Sequence, residues 1–488
     1  MSNSAHLNAS QKTPVIWWVL AATILLSGWS SILLESPLPL VLPLVVMGAY
    51  ILVADYKILF YLLFFTIPFS SGFSVGSSSI DLPSEPIMIV LSGVALIYFL
   101  SHFRKMSFRF ITHPISLLLL IHLSWILITT LTSEQFSFSL KFFLAKLWYV
   151  LPFYFLAGKL LYRDKVYKTW LFTTMVGISI TVVYVMIRHS TFGFSFDDIN
   201  WVLGPFYPNH VIYAALLTLF LPYVWESLAF FKPQSFRWWM VIGVLALFLI
   251  AIKFSYTRAA YVTVAALIGA YWMIRWNVLK YALVLAVVVS IFGVNWIVKD
   301  NKYLDYAPNY ERTISNKDFD DLVEATYNLE DISVMERVYR WVAAFRMSSD
   351  HPYMGFGPGN FYSFYQPYTL RMFKTYVSDN PEKSGVHCYF MMTTVEQGIP
   401  GLVIFVLLML GIIVTAERAY HLAKAPEIKR RIMANVLAFL AVCSLLLVND
   451  VVESDKIGSF FFLSAAVIVR LYLHAQNASA KEKDIQLG

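Results

Sequence analysis

The sequence predicts an all-α integral membrane protein of about 12–14 transmembrane helices, with one large, mainly helical loop domain outside the membrane. Three observations carry this. The 488 residues are 58% hydrophobic and only 14% charged, against roughly 25% charged in ordinary soluble domains. Apolar runs that could cross a roughly 30 Å hydrocarbon core, which takes about 20 helical residues, recur along the chain. The lysines and arginines between those runs alternate between rich loops and empty ones, the asymmetry that sets orientation in a bilayer. The net charge of +7 lies mostly in short loops, which speaks for membrane orientation and not for a nucleic-acid partner. Cys388 and Cys443, the two cysteines, build neither a disulfide framework nor a cysteine-rich metal site.

Spans are read near 15–34, 38–53, 57–70, 86–101, 114–132, 141–158, 168–188, 209–228, 238–252, 257–274, 280–299, 386–416, 431–449 and 456–474. The second and third are short, and the second carries Pro39 and Pro43, so either reads as a crossing or as a re-entrant element. The first is followed at once by further spans and reads as a retained signal-anchor. One alternate set of loops carries Arg104, Lys105 and Arg109; Lys159, Arg163, Lys165 and Lys168; Lys232 and Arg237; Arg275 and Lys280; and Arg418, Lys424, Lys429, Arg430 and Arg431. The opposite loops 71–85, 133–140 and 189–208 carry no lysine or arginine. Cationic loops stay cytoplasmic, so both termini are expected inside and 300–385 outside. The expected organisation is 1–299 for the first eleven helices, 300–385 for the outer loop domain, 386–474 for the last three helices and 475–488 for a cytoplasmic tail.

Within the outer domain, the acids at 318–321 read as a solvated face. Ser333 and Glu336 have capping-box spacing, and the helix they open puts Val334, Val338, Trp341, Val342 and Phe345 on one face. It is expected to stop near Asp350, because Pro352 disfavours helix at the residue before it.

Several cations fall on the side that is otherwise poor in them: Lys141, Lys146, Arg188, Lys253, Arg258, Arg337 and Arg340. A cation in or near hydrocarbon is costly unless it serves a site, and arginine suits bidentate contact with phosphate. At the span ends, Arg188 and Lys253 also read as residues that snorkel to headgroups. At about 100° per residue, Arg337 lies roughly 80° from the centre of the apolar face and Arg340 roughly 140° away. Arg337 is therefore expected at the buried margin and Arg340 in solvent. His387, where the outer domain re-enters the membrane, reads as a proton acceptor or as an interfacial histidine bonded to a carbonyl. His210 at another boundary reads as structural. No carboxylate cluster with metal-ligand spacing stands out in the outer segments, so no metal and no cofactor is expected.

The residues Glu336-Arg337-Val338-Tyr339-Arg340-Trp341 are followed by His351-Pro352-Tyr353-Met354-Gly355-Phe356-Gly357-Pro358-Gly359-Asn360-Phe361. Together with His387-Cys388-Tyr389-Phe390 and Glu396-Gln397-Gly398-Ile399-Pro400-Gly401, they resemble the signature of the O-antigen ligase and polymerase superfamily. Thr257-Arg258 resembles a Ser-Arg or Thr-Arg step of that family, while Cys388 stands where the family often has asparagine. The resemblance implies a bacterial inner-membrane glycosyltransferase with its active site facing the periplasm. Its donor would be a glycan on undecaprenyl diphosphate, and its acceptor lipid A–core or another glycan. It implies His387 as the catalytic base, with Arg258 and Arg337 on the diphosphate. By their place on the outer side, Arg340 and Lys141 are further candidates for the diphosphate, and Glu396, His210 and Lys146 for supporting roles. Direct attack implies inversion at the anomeric carbon. An O-antigen ligase is the leading expectation; a polymerase with the same donor, a protein O-oligosaccharyltransferase and a polysaccharide transporter or flippase are the alternatives.

Overall fold

The computed structural model describes residues 13–35, 39, 42–75, 78–102, 108–306, 332–370, 380 and 385–487. It is an all-α integral membrane protein: among the described residues nine helices are long and apolar enough to cross a membrane. Arg104, Lys105, the acids at 318–321 and the polar segment 1–12 lie outside the described residues. The chain divides into two units, Met1–Phe64 and Phe65–Gly488.

The first unit holds α1 (Thr13–Leu33) and most of α2 (Leu42–Thr66), which is broken at Asp55 by extended backbone (φ −159°, ψ 101°). The Asp55 carboxylate accepts from the Lys57 N–H at 3.1 Å and so caps the second half as a new helix. The break separates the two short segments read at 38–53 and 57–70.

The second unit opens with a hairpin, β1 (Ser71–Val75) paired antiparallel with β2 (Ser78–Leu82). Then follow α3 (Ser84–His102), α4 (Pro114–Leu131) and α5 (Phe136–Val150), which continues through a π turn to Leu160. Next come α6 (Asp164–Thr191), α7 (His210–Ser227), α8 (Phe236–Lys253), α9 (Arg258–Arg275) and α10 (Leu279–Val298). The loop domain contributes α11 (Ile332–Asp350). The last helices are α12 (Tyr389–Leu422), α13 (Pro426–Leu445) and α14 (Asp455–Leu487). Span α12 starts at Tyr389, so His387 and Cys388 lie ahead of it.

Burial sorts these helices. From Ile212 to Val224, α7 is enclosed on every side, as a helix that is apolar all round must be. It packs with α13 and α14 at the centre. A polar chain stitches this core: Tyr167 OH donates to Glu226 at 2.6 Å, Asn435 Nδ2 to Tyr167 at 3.2 Å, and Tyr223 OH to Asn435 at 3.0 Å. In hydrocarbon each of these groups needs a partner inside the protein. By contrast α10 turns Val284, Leu285, Val289 and Phe292 outward, the surface expected of a helix against lipid.

Loop contacts sort into two ends. At one, Ser139 Oγ donates to the Pro358 carbonyl at 2.8 Å and Asn360 Nδ2 to Ser133 Oγ at 2.7 Å. At the other, Arg431 meets Asp164, and the Glu417 carboxylate accepts from Leu279 and Lys280 N–H at 2.9 and 3.3 Å, holding a negative charge at the start of α10.

Candidate functional site

The site grows from a break in α12. Gly398 has φ +71°, and Pro400 has no N–H to give to the carbonyl of Glu396 four residues back. The carbonyls this leaves open take donors from elsewhere. Phe356 N–H donates to Val395 O at 2.9 Å, Gly357 N–H to Glu396 O at 3.0 Å, and Trp125 Nε1 to Gln397 O at 2.9 Å. In return the Ile399 N–H reaches Pro352 O at 2.8 Å. The turn 352–360 thus replaces a missing helical rung, which satisfies backbone groups that burial would otherwise leave costly. The fit requires glycine: a Cβ on Gly355 would stand 2.5 Å from the Val395 oxygen, and one on Gly398 would overlap the Tyr353 oxygen. The Glu396 carboxylate accepts from the Phe361 N–H at 3.2 Å, so Glu396 secures this turn.

That lock seats α11 against α12. Expected to lie in solvent, Arg340 is 3% exposed, and Nη2 donates to Asn380 Oδ1 at 3.4 Å. The reason is the face that packs. Ala343, Ala344 and Met347, at three, four and seven residues from Arg340, are fully buried. Small residues let α11 approach closely there, whereas the bulky stripe used to find the apolar face marks a neighbouring side. Arg337 is half-buried. The helix begins at Ile332, one residue ahead of Ser333, and ends at Asp350 as expected.

His387 stands at the mouth of α12 with φ +59°. Its N–H donates to Asp450 Oδ2 at 3.2 Å, and the Tyr389 N–H donates to Leu446 O at 3.0 Å. Two donors at the start of α12 are thereby met by the loop after α13, and a carboxylate suits a helix N-terminus. Gly385 lets the strand pass: a Cβ there would overlap Asp450 Oδ2. Burial, then the charges of Arg340 and Arg337, push the imidazole down to about 4. Burial pushes the Asp450 carboxyl up to about 7, against the His387 N–H bond that favours the anion. His387 Nδ1 and Asp450 Oδ1 are buried without a hydrogen-bond partner among the described residues, an arrangement suited to groups that await a ligand.

The remaining residues divide. His210 is close enough to Arg258 and Arg337 for both charges to act on it. Its carbonyl accepts from Thr257 Oγ1 at 3.2 Å, and Thr257 immediately precedes α9, which begins with Arg258. Arg258, His210, Arg337, Arg340, His387 and Asp450 therefore form one linked group drawn from α7, α9, α11 and the two loops flanking α12 and α13. Lys146 is 2% exposed and paired with Glu453 at 2.7 Å, so it reaches the group through Glu453, whose charge bears on Asp450. Lys141 is exposed and its charge is felt by Glu85. Sequence reasoning passed over Asp450, although Asp450, Glu453 and Asp455 put three acids into one short loop on the side opposite the cationic loops. Among the described residues no group of three His, Cys, Asp or Glu is placed to hold a metal ion.

Residues 243–406 match the family model described as O-Antigen ligase. The match spans about a third of the chain and takes in α9, α11, the locked turn and the start of α12. It supports the resemblance of this part of the chain to the O-antigen ligase and polymerase superfamily. No curated protein matches the chain.

Proposed function

Because residues 243–406 carry an O-antigen ligase family domain, we propose that the protein transfers a glycan from undecaprenyl diphosphate to a sugar hydroxyl of lipid A–core. One observation carries the reading: three arginines from two helices and a histidine kept neutral at pH 7 share one end of the bundle. Arg258, Arg337 and Arg340 take the diphosphate and offset the charge it gains on leaving. The acceptor oxygen attacks the anomeric carbon from the opposite face. The bond from that carbon to the diphosphate oxygen breaks, its electron pair leaves with the lipid diphosphate, and the hydroxyl proton passes to His387. The configuration inverts, and the arginines do the work a divalent cation does elsewhere.

A base with a pKa of about 4 is weak, but the cause of its weakness is also its switch. Part of the depression comes from Arg340 and Arg337. A bound diphosphate offsets those charges, so His387 gains proton affinity when the donor is in place. The loop asymmetry supports an inner-membrane protein with both termini in the cytoplasm, and 300–385 and the site in the periplasm.

The test is the lipopolysaccharide of a deletion strain. Loss of all O-chains with lipid-linked polymer accumulating supports a ligase. Chains of a single repeat mean a polymerase with the same donor, and an unchanged profile refutes both.

A further inference from the structure

A second polar site lies at the end of the bundle opposite Asp450. A cavity of about 170 Å³ is lined there by the beginnings of α6 and α13 and the later part of α14, with Arg431, Arg470, His474, Asp164 and Glu427 on its wall. Two of these charges are satisfied. Arg431 is 5% exposed, meets Asp164, and lies 3.8 Å from Glu226. Asp164 also holds Lys168 at 2.8 Å.

Arg470 and Glu427 have no ion-pair partner among the described residues, and Glu427 is exposed. The Arg470 guanidinium lies 4.1 Å from the centre of the Phe110 ring. Its Nε is buried without a hydrogen-bond partner, and among the described residues no carboxylate stands within ion-pair distance of it. Glu427 likewise has no cation within that distance among the described residues. Arg470 follows a stretch of α14 buried without interruption from Asp455 to Val469, so its charge is placed where the fully buried part of that helix ends. One unpaired guanidinium with a neighbouring imidazole, and one unpaired carboxylate, complement a zwitterion that carries a phosphate and an ammonium.

We propose that this cavity binds the headgroup of an ethanolamine phospholipid, with the phosphodiester on Arg470 and His474 and the primary ammonium on Glu427. Choline lipids present the same phosphate but no N–H donor, and glycerol lipids present no ammonium, so selectivity follows from Glu427.

Native mass spectrometry and thermal unfolding of the full chain in detergent test this, with phosphatidylethanolamine, phosphatidylcholine and phosphatidylglycerol added in turn. The ethanolamine lipid should be retained about tenfold more than the other two, the worth of one charged hydrogen bond, and should raise the unfolding midpoint most. Glu427→Gln should erase that preference while leaving phosphate-dependent retention. Arg470→Ala should lower retention of all three lipids, and Arg470→Lys should restore part of it if the alanine variant folds poorly. Equal retention of the three lipids by the unaltered protein, or an unchanged preference in Glu427→Gln, would overturn the assignment. Water-soluble glycerophosphoethanolamine separates the sources: it should compete with the lipid only weakly, and stabilisation equal to that by the lipid would sink the lipid reading.

Discussion

The backbone N–H of His387 donates to Oδ2 of Asp450 at 3.2 Å, and through this bond the loop after α13 sets where the imidazole stands. The Cys388 backbone also bonds to Asp450, so removing this carboxylate takes two bonds from the segment 385–388.

Asp450→Ala should therefore lower kcat about 10²-fold, the usual result of misplacing a reacting group by about an ångström. The KM for donor should change little, and Asp450→Asn should recover part of the rate because an amide oxygen still accepts. Steady-state kinetics on purified enzyme decide this; an alanine variant with normal kcat would remove Asp450 from the site.

His387→Ala should lose about 10²–10⁴-fold in rate, the range for a positioned general base, with donor binding kept. The unaltered enzyme should work in excess EDTA, since arginines hold the diphosphate. Inhibition reversed by Mg²⁺ or Mn²⁺, or near-normal turnover by the alanine variant, would count against the mechanism.

The pH profile carries a distinctive sign. The base must be neutral, so activity is present above its pKa and lost as pH falls through it. With His387 at about 4 in the empty site, kcat/KM should hold at pH 6, where an ordinary histidine near 6.5 would be mostly protonated. The acid limb of kcat should lie higher than that of kcat/KM, because donor offsets Arg337 and Arg340. Any inflection near 7 belongs to Asp450 and should vanish in Asp450→Asn.

Arg340 and Arg337 should separate by stability. Arg340→Ala strips a buried, hydrogen-bonded group and should cost about 1–3 kcal/mol along with activity. Arg337→Ala should lose activity with an unfolding midpoint near that of the unaltered protein. Matching midpoints for the two variants would contradict the burial seen at Arg340.

Gly398→Ala should be the most damaging small change in the lock. A Cβ would overlap the Tyr353 oxygen, and alanine is strained at φ +71°. Overpacking costs about 1–3 kcal/mol, and a backbone at φ +71°, ψ 178°, which is essentially glycine-only, costs an alanine about 1–3 more. Thermal unfolding should fall well below that of Gly269→Ala, whose Cβ would meet nothing within 4 Å.

Much of this protein was legible in residue order alone. Hydropathy and the lysine and arginine asymmetry act segment by segment, since a bilayer solvates each stretch by its own composition, so the helices of a membrane protein and the stop of α11 at Asp350 could be read directly. His387, Arg258 and Arg337 stood out because a charge or an imidazole at a membrane boundary is conspicuous wherever the chain folds. Tertiary structure decided what depends on partners. Asp450 lies 63 residues from His387, and only packing of α12 against α13 brings them together. Arg340 is buried because Ala343 and Ala344 admit a close neighbour, which a stripe of bulky side chains does not reveal. The glycines at 355 and 398 acquire their meaning only when the turn they serve fills the break in α12, because an unsatisfied carbonyl is a property of the fold and not of any residue in it.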